Sequence, residues 1–214
     1  MKIDVRTVGP FQENSYLVVD EATNRAVLVD PGDEGAVLVD MVRRSGATLE
    51  AIWLTHAHID HIGGIAEVRR HYDVPVHLHP ADLPYYERLS ARAAEMYGVT
   101  YEQPEGPHAE LADGQEMNVG ELRFTVMHVP GHAPGLVSFN GHGVAISGDL
   151  LFAGSIGRTD LPLADPFAMD SSLERIATLA DETIVYPGHG RPTTIGVEKR
   201  DNPFLAGRAR ALKR

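Results

Sequence analysis

Short apolar, β-branched runs recur along the chain, and most of them end in a turn rich in Gly and Pro. Val27-Leu-Val29 leads into Asp30-Pro-Gly32, Phe124-Thr-Val-Met-His-Val129 into Pro130-Gly-His132, Gly143-Val-Ala-Ile-Ser147 into Gly148-Asp149, and Thr183-Ile-Val-Tyr186 into Pro187-Gly-His189. Such runs predict buried strands, and such turns the loops that leave them. On this pattern strands are expected at about 2–7, 15–20, 25–30, 50–55, 74–78, 115–119, 121–129, 136–140, 143–147 and 183–186. Helices fill the gaps: 35–44, stopped by Ser45-Gly46; 63–71; 81–97, stopped by Gly98; and 171–179, opening with Ser171 and Glu174 at capping-box spacing.

A chain of 214 residues can close one sizeable core, and no Ser/Gly-rich linker, low-complexity tract or repeat divides it, so a single domain over 1–214 is expected. The start Met1-Lys-Ile-Asp-Val-Arg6 has no apolar core of signal-peptide length, and no later segment has the uninterrupted apolar span of a membrane helix. A cytoplasmic location without a membrane partner is the expectation. A formal net charge of -11 argues against a nucleic-acid partner, because phosphate binding needs clustered cations. The basic segment 208–214 reads as a solvated helix end.

The candidate chemistry is concentrated in Thr55-His-Ala-His-Ile-Asp-His61, directly after the apolar Ala51-Ile-Trp-Leu54. So polar a cluster behind a strand answers no folding need and points to a metal site, with the HxHxDH spacing suggesting two adjacent ions. His132, Asp149 and His189 follow other apolar runs, so they should collect with His56 at one edge of a sheet assembly. His77 and His79 copy the HxH spacing, but they alternate within a strand and no acidic residue follows at the right interval. The chain contains no Cys, which excludes disulfides and thiol nucleophiles and leaves any zinc to His and Asp, a donor set suited to catalysis. Ser147 lacks the GxSxG elbow of a serine hydrolase, and no GxxxxGK[ST] phosphate loop is present.

From Asp30 to His189 the ordered motifs resemble those of metallo-β-lactamase superfamily hydrolases. The resemblance implies an α/β fold, a four-layer αββα sandwich of two mixed sheets face to face with helices outside. It implies that His56, His58 and His132 bind one metal, that Asp60, His61 and His189 bind a second, and that Asp149 bridges them. Asp30 would support the metal loop without touching metal. Two divalent ions are expected, zinc first, with iron or manganese as alternatives. Such a pair can hold a bridging hydroxide at neutral pH, with Asp60 and Asp149 as the catalytic carboxylates.

Asn14-Ser-Tyr-Leu17, Gly148-Asp-Leu-Leu-Phe152 and Gly154-Ser-Ile-Gly-Arg-Thr-Asp160 resemble glyoxalase II (hydroxyacylglutathione hydrolase) and its short bacterial relatives. The implied substrate is a small-molecule thioester of the S-lactoylglutathione type, with Arg158 binding a carboxylate on the thiol side, or else pairing with Asp160 or Asp165. The helical extension that supplies much of the glutathione pocket in full-length glyoxalase II has no counterpart after Asn202-Pro-Phe-Leu205, so the carrier thiol stays open, as does the oligomeric state. The alternative is a mononuclear iron persulfide dioxygenase of the same fold, because that family keeps the same His and Asp residues and the Gly-Arg-Thr-Asp run.

Overall fold

The structure, a computed structural model, describes residues 1–211. Its first sheet contains β1 (Lys2–Val8), β2 (Glu13–Asp20), β3 (Arg25–Val29), β4 (Thr48–Trp53), β5 (Val76–Leu78) and β6 (Ala109–Glu110), side by side in that order. The pairs β1–β2 and β2–β3 are antiparallel, and β3 to β6 run parallel. The second sheet is built from β7 (Glu116–Val119), β8 (Leu122–His128), β9 (Val137–Gly141) and β10 (Val144–Gly148). A small hairpin of β11 (Leu151–Phe152) and β12 (Ser155–Ile156) follows, and then β13 (Ile184–Pro187) and β14 (Thr193–Thr194) complete the sheet on the far side of β10. Because β10 and β13 are parallel while the other pairs are antiparallel, this sheet is mixed too.

Strand alternation sorts the apolar residues into layers. Tyr16 and Val18, Val27 and Val29, and Ala51 and Trp53 face the second sheet and pack on Phe124, Val126, Phe139 and Ile146. Trp53 lies at the centre, its ring 5.7 Å from Phe124 and 5.0 Å from Phe139. The intervening residues Leu17, Val19, Ala26, Leu28 and Ile52 point the other way, against helix α1 (Gly35–Ser45) and further helices. Since a shift of one residue would exchange the two sets, the register is held by burial on both faces.

Among the remaining helices, α2 (Ile59–Ile62), α3 (Ile65–His71), α4 (Leu83–Tyr86) and α5 (Leu89–Tyr97) belong to the first sheet's side. The outer face of the second sheet is covered by α6 (Pro166–Ile176) and α7 (Ile195–Asp201), through Met169, Leu173, Ile176 and Ile195. The result is the expected αββα sandwich. Among the described residues no helix is long and apolar enough to cross a membrane.

All ten expected strands form. The four that the pattern misses, β6, β11, β12 and β14, have two residues each, too few to show an alternation. The helix expected at 81–97 is instead a 3-10 turn at Pro80–Asp82 followed by α4 and α5; Pro84 has no N–H to donate and can sit only in a first turn. The helix expected from Ser171 begins five residues earlier at Pro166, because Asp165 is its cap, accepting hydrogen bonds from Phe167 N at 2.8 Å and Ala168 N at 3.1 Å. Ser171 lies mid-helix and its hydroxyl donates back to the Phe167 carbonyl. The basic segment is not helical over 208–211; Ala211 is tied down by Asp170 and by Thr159, and the rest of that segment lies outside the described residues.

The cap assignment is directly testable. Asp165→Ala should cost about 1 kcal/mol and lower Tm by about 2 to 4 °C, whereas Ser171→Ala should change stability by less than about 0.5 kcal/mol, both read by thermal and urea denaturation. The reverse ranking would restore Ser171 as the cap.

Candidate metal centre

The loops that leave β4, β8, β10 and β13 meet at one edge of the sandwich, where a hydrogen bond from Val137 N to Thr55 O and another from Gly188 N to Gly148 O fasten them together. The loop after β4 carries His56, and His58 occupies the N-cap of the single-turn helix α2, whose backbone presents Asp60 and His61. From the second sheet come His132, Asp149 and His189. The donor atoms of His56, His58 and His132 lie within 4.8 Å of one another, and so do those of Asp60, His61 and His189. Asp149 touches both groups: its Oδ2 is 3.4 Å from His132 Nε2 and 3.5 Å from His189 Nε2, and its Oδ1 is 3.5 Å from His61 Nε2. All seven residues singled out as metal donors are thus brought together.

His56 Nε2, His61 Nε2 and Asp149 Oδ1 are buried with no hydrogen-bond partner. Leaving such atoms unsatisfied costs roughly 1 to 3 kcal/mol each, more for a charged group. Imidazole nitrogens and a carboxylate, turned toward a common point, suit a divalent transition-metal or zinc ion. The residues present therefore fit the implied metals.

Outer partners decide which nitrogen each ring turns inward. Asp30 accepts from Thr55 N at 2.7 Å and from the Thr55 hydroxyl at 2.6 Å, which leaves the hydroxyl oxygen to accept from His56 Nδ1 at 3.1 Å. The same Asp30 carboxylate accepts from His61 Nδ1 at 3.0 Å. His132 Nδ1 donates to the Arg158 carbonyl at 2.9 Å and His189 Nδ1 to the Phe11 carbonyl at 3.1 Å. Four rings thus offer Nε2 to the centre. His58 differs, presenting Nδ1, which stands 2.8 Å from His132 Nε2. Although Asp30 lies among the close donor groups, with His56 and His61, its oxygens are already engaged, holding His61 directly and His56 through the Thr55 hydroxyl. Its φ of 48° lies in the left-handed region, a strained backbone that aims the carboxylate.

The buried carboxylates make the cluster attractive to positive charge, which metal ions or, without them, protons on His61 and His189 supply. Burial pushes the His56 imidazole well below its ordinary range and His58 down to about 3, so both stay neutral with lone pairs available. Burial would raise Asp149, but His61 and His189 hold its carboxyl well below the usual range. Burial likewise opposes the charge on His61 and His189, yet the surrounding carboxylates raise both, His189 to about 10.

Three residues of the setting escaped the sequence analysis. Asp82, fully buried, accepts from Ala57 N in one metal-bearing loop at 2.9 Å and from Gly135 N in another at 2.5 Å. It sits where an acidic residue reads as an ordinary first-turn helix position, and no local signal marks its partners. Thr55 links the Asp30 carboxylate to His56. Glu13, buried and held by Ser15, has its carboxyl pushed well above the ordinary range by burial beside His61. Gly188 is the one residue that fits its place: a Cβ there would lie 2.2 Å from Asp149 Oδ1 and 2.8 Å from His61 Cε1. His77 and His79 stay outside the cluster, His79 stacking on His128 at 4.1 Å.

The centre forms the floor of a cavity of about 250 Å³, rimmed by Phe11, Met96, Tyr97 and Leu161. Arg158 also lines it, with an exposed guanidinium that makes two hydrogen bonds of 2.9 Å to Asp160.

Residues 8–189 match the sequence profile of the Metallo-beta-lactamase superfamily. Hydroxyacylglutathione hydrolase GloC of Haemophilus influenzae is 35% identical over 210 residues, covering 96% of this chain and 98% of that one. The crystal structure of the BLEG-1 B3 metallo-beta-lactamase superposes with a TM-score of 0.90 at 37% identity, covering 96% of this chain and 100% of that one. TTHA1623, solved in a di-iron-bound form, gives a TM-score of 0.87 at 46% identity, with 94% and 100% covered. Profile, relatives and architecture agree with the ordered motifs from Asp30 to His189, and the chain belongs to the metallo-beta-lactamase superfamily.

Proposed function

We propose that the protein is a binuclear metallo-hydrolase of small thioesters of the S-lactoylglutathione type. His56, His58 and His132 hold one divalent ion, Asp60, His61 and His189 the other, and Asp149 is shared; zinc is the proposed metal, with iron or manganese as alternatives. The observation that carries this reading is the pair of donor groups meeting at Asp149 on a cavity floor, with inward-facing buried atoms that nothing in the protein satisfies. The near full-length similarity to a hydroxyacylglutathione hydrolase supports the thioester as substrate class. The di-iron form of TTHA1623 supports two ions and admits iron.

When bound, the two ions supply Lewis acidity and acidify water toward a pKa of about 7. The chain's own residues do the rest. Burial would raise Asp60, but the contact with His189 at 3.3 Å keeps its carboxyl below the ordinary range, so at neutral pH it is a carboxylate able to accept the proton of the attacking water. Asp30 and the Arg158 and Phe11 carbonyls hold the imidazoles in orientation. Phe11, Tyr97 and Leu161 narrow the entrance and limit bulk water around the reacting carbonyl. Arg158 lines the same cavity, and its pairing with Asp160 would have to be exchanged before it could bind a thiol-side carboxylate.

Metal analysis of the purified protein should find about two divalent ions per chain. His56→Ala and His189→Ala should each lower that to about one, and Asp149→Ala should weaken both sites. Asp82→Ala, which frees two loop amides, should reduce metal affinity by about ten- to a hundredfold, the size expected when a partner outside the ligand set is lost. A value of one ion in metal-replete protein, unchanged by His189→Ala, would remove the binuclear assignment.

The metal-loaded protein should hydrolyse S-lactoylglutathione or a related small thioester without a redox cofactor, at a rate rising with pH to a plateau near neutrality. Asp60→Asn should lower kcat by about a hundredfold or more, beyond what its effect on metal content accounts for. Cleavage of β-lactams in place of thioesters would move the protein to the lactamase activity that the likeness to BLEG-1 also permits. Iron-dependent oxygen uptake with glutathione persulfide, surviving loss of His61 or His189, would establish the dioxygenase instead.

A further inference from the structure

Three arginines surround the mouth of the cavity and its outer extension, and they are not equivalent. Arg158 is neutralised by Asp160, and Arg88 faces Glu95 at 3.8 Å. Arg92, midway along α5, is partly buried by its surroundings, and among the described residues no carboxylate forms an ion pair with it. Its guanidinium carbon stands 3.8 Å from the centroid of the Tyr85 ring. Tyr85 is itself fixed, its hydroxyl donating to the Pro162 carbonyl and its ring meeting the His58 ring edge-on at 5.2 Å. One aromatic ring therefore separates the Arg92 charge from an imidazole of the metal cluster.

In a chain of net charge -11, withdrawing a guanidinium from water without a carboxylate partner is unfavourable, and the Tyr85 face compensates only in part. The side chain lines the cavity that holds the metal cluster and also a second cavity of about 280 Å³, and the two share Arg92, Met96 and Pro162 in their walls. A molecule with its reacting carbonyl at the cluster would have to pass Arg92 to extend into that space. The planar guanidinium fork is shaped to hold a carboxylate through two parallel hydrogen bonds.

We infer that Arg92 determines the specificity for the thiol half of the substrate, binding a carboxylate carried by the leaving thiol while the acyl carbonyl lies over the metal cluster. The inference rests on the thioesterase proposed above. It assigns to α5 the anion recognition for which Arg158, already paired, is the less available group. Because the contact lies away from the reacting carbonyl, it stabilises ground and transition states alike, and its loss is read in KM more than in kcat.

The test uses two lactoyl thioesters that differ only in the thiol, glutathione with its carboxylates and neutral N-acetylcysteamine, alongside calorimetric titration with the non-hydrolysable thioether S-methylglutathione. Arg92→Ala should raise KM for the glutathione thioester by about ten- to a hundredfold, with a much smaller change for the neutral one, and should weaken thioether binding by the same factor. Arg92→Lys should recover part of the loss, and Arg158→Ala should alter the discrimination less than Arg92→Ala does. Equal losses on both thioesters, a discrimination that follows Arg158 instead, or a thioether affinity unchanged by Arg92→Ala would overturn the assignment. If the wild type cleaves neither thioester the hydrolase proposal fails, and the titration still decides: binding weakened by Arg92→Ala keeps the anion site, while absent or unaltered binding removes it. Should Arg92→Ala fail to fold, the titration and KM ratio of Arg92→Lys carry the same decision, unchanged values overturning the inference.

Discussion

Buried nitrogen and oxygen atoms that point at one another rather than at protein partners set the terms for the rest of this molecule. Three imidazoles with almost no exposure, His56, His61 and His132, crowd around Asp149, and burial of that kind is tolerable only if charge and lone pairs find a cation. The sandwich supplies the frame. Its core is apolar and interlocked around Trp53, so that short loops can leave four strand ends and still hold their side chains within a few ångströms of a common point. The cross-sheet bonds from the Tyr16 hydroxyl at 2.6 Å and the Asn14 amide at 3.1 Å to the Pro187 carbonyl bring the first sheet to the last of these loops.

The parts of this arrangement that were readable from sequence are those with a local signature. His132, Asp149 and His189 each follow an apolar run and a Gly/Pro turn, and the HxHxDH segment is dense enough to stand out alone. Helix 81–97 and the cap of α6 depart from the local pattern for one reason: Pro84 and Asp165-Pro166 act on the backbone more strongly than apolar spacing or a capping-box match. What could not be read was the identity of partners distant in sequence. Asp82 and Gly135, or Arg92 and the outer cavity, acquire meaning only when the chain has folded, since nothing in the spacing ties an acid in a 3-10 turn to an amide 53 residues later.

Charge is distributed unevenly around the opening. Carboxylates and imidazoles gather at the cluster, aromatic and aliphatic side chains line the same cavity with Arg158 and Arg92, and the second cavity adds Arg88 and Glu95. A molecule with an electrophilic centre at one end, an apolar middle and an anionic tail would meet these surfaces in that order. Neither half of such a molecule dominates the match, and the superfamily's shared cluster says little about the tail. The wall built by α5 and the segment through Pro162 is where members of one fold with one metal cluster can diverge.

The single carboxylate of Asp82 holds an amide from each of two metal-bearing loops, so the two loops share one acceptor. Lengthening either loop by one residue would carry its amide away from the shared acceptor and slacken the other loop too. The two loop lengths are therefore coupled through Asp82, whereas α5, which offers no amide to that carboxylate, stands outside the coupling.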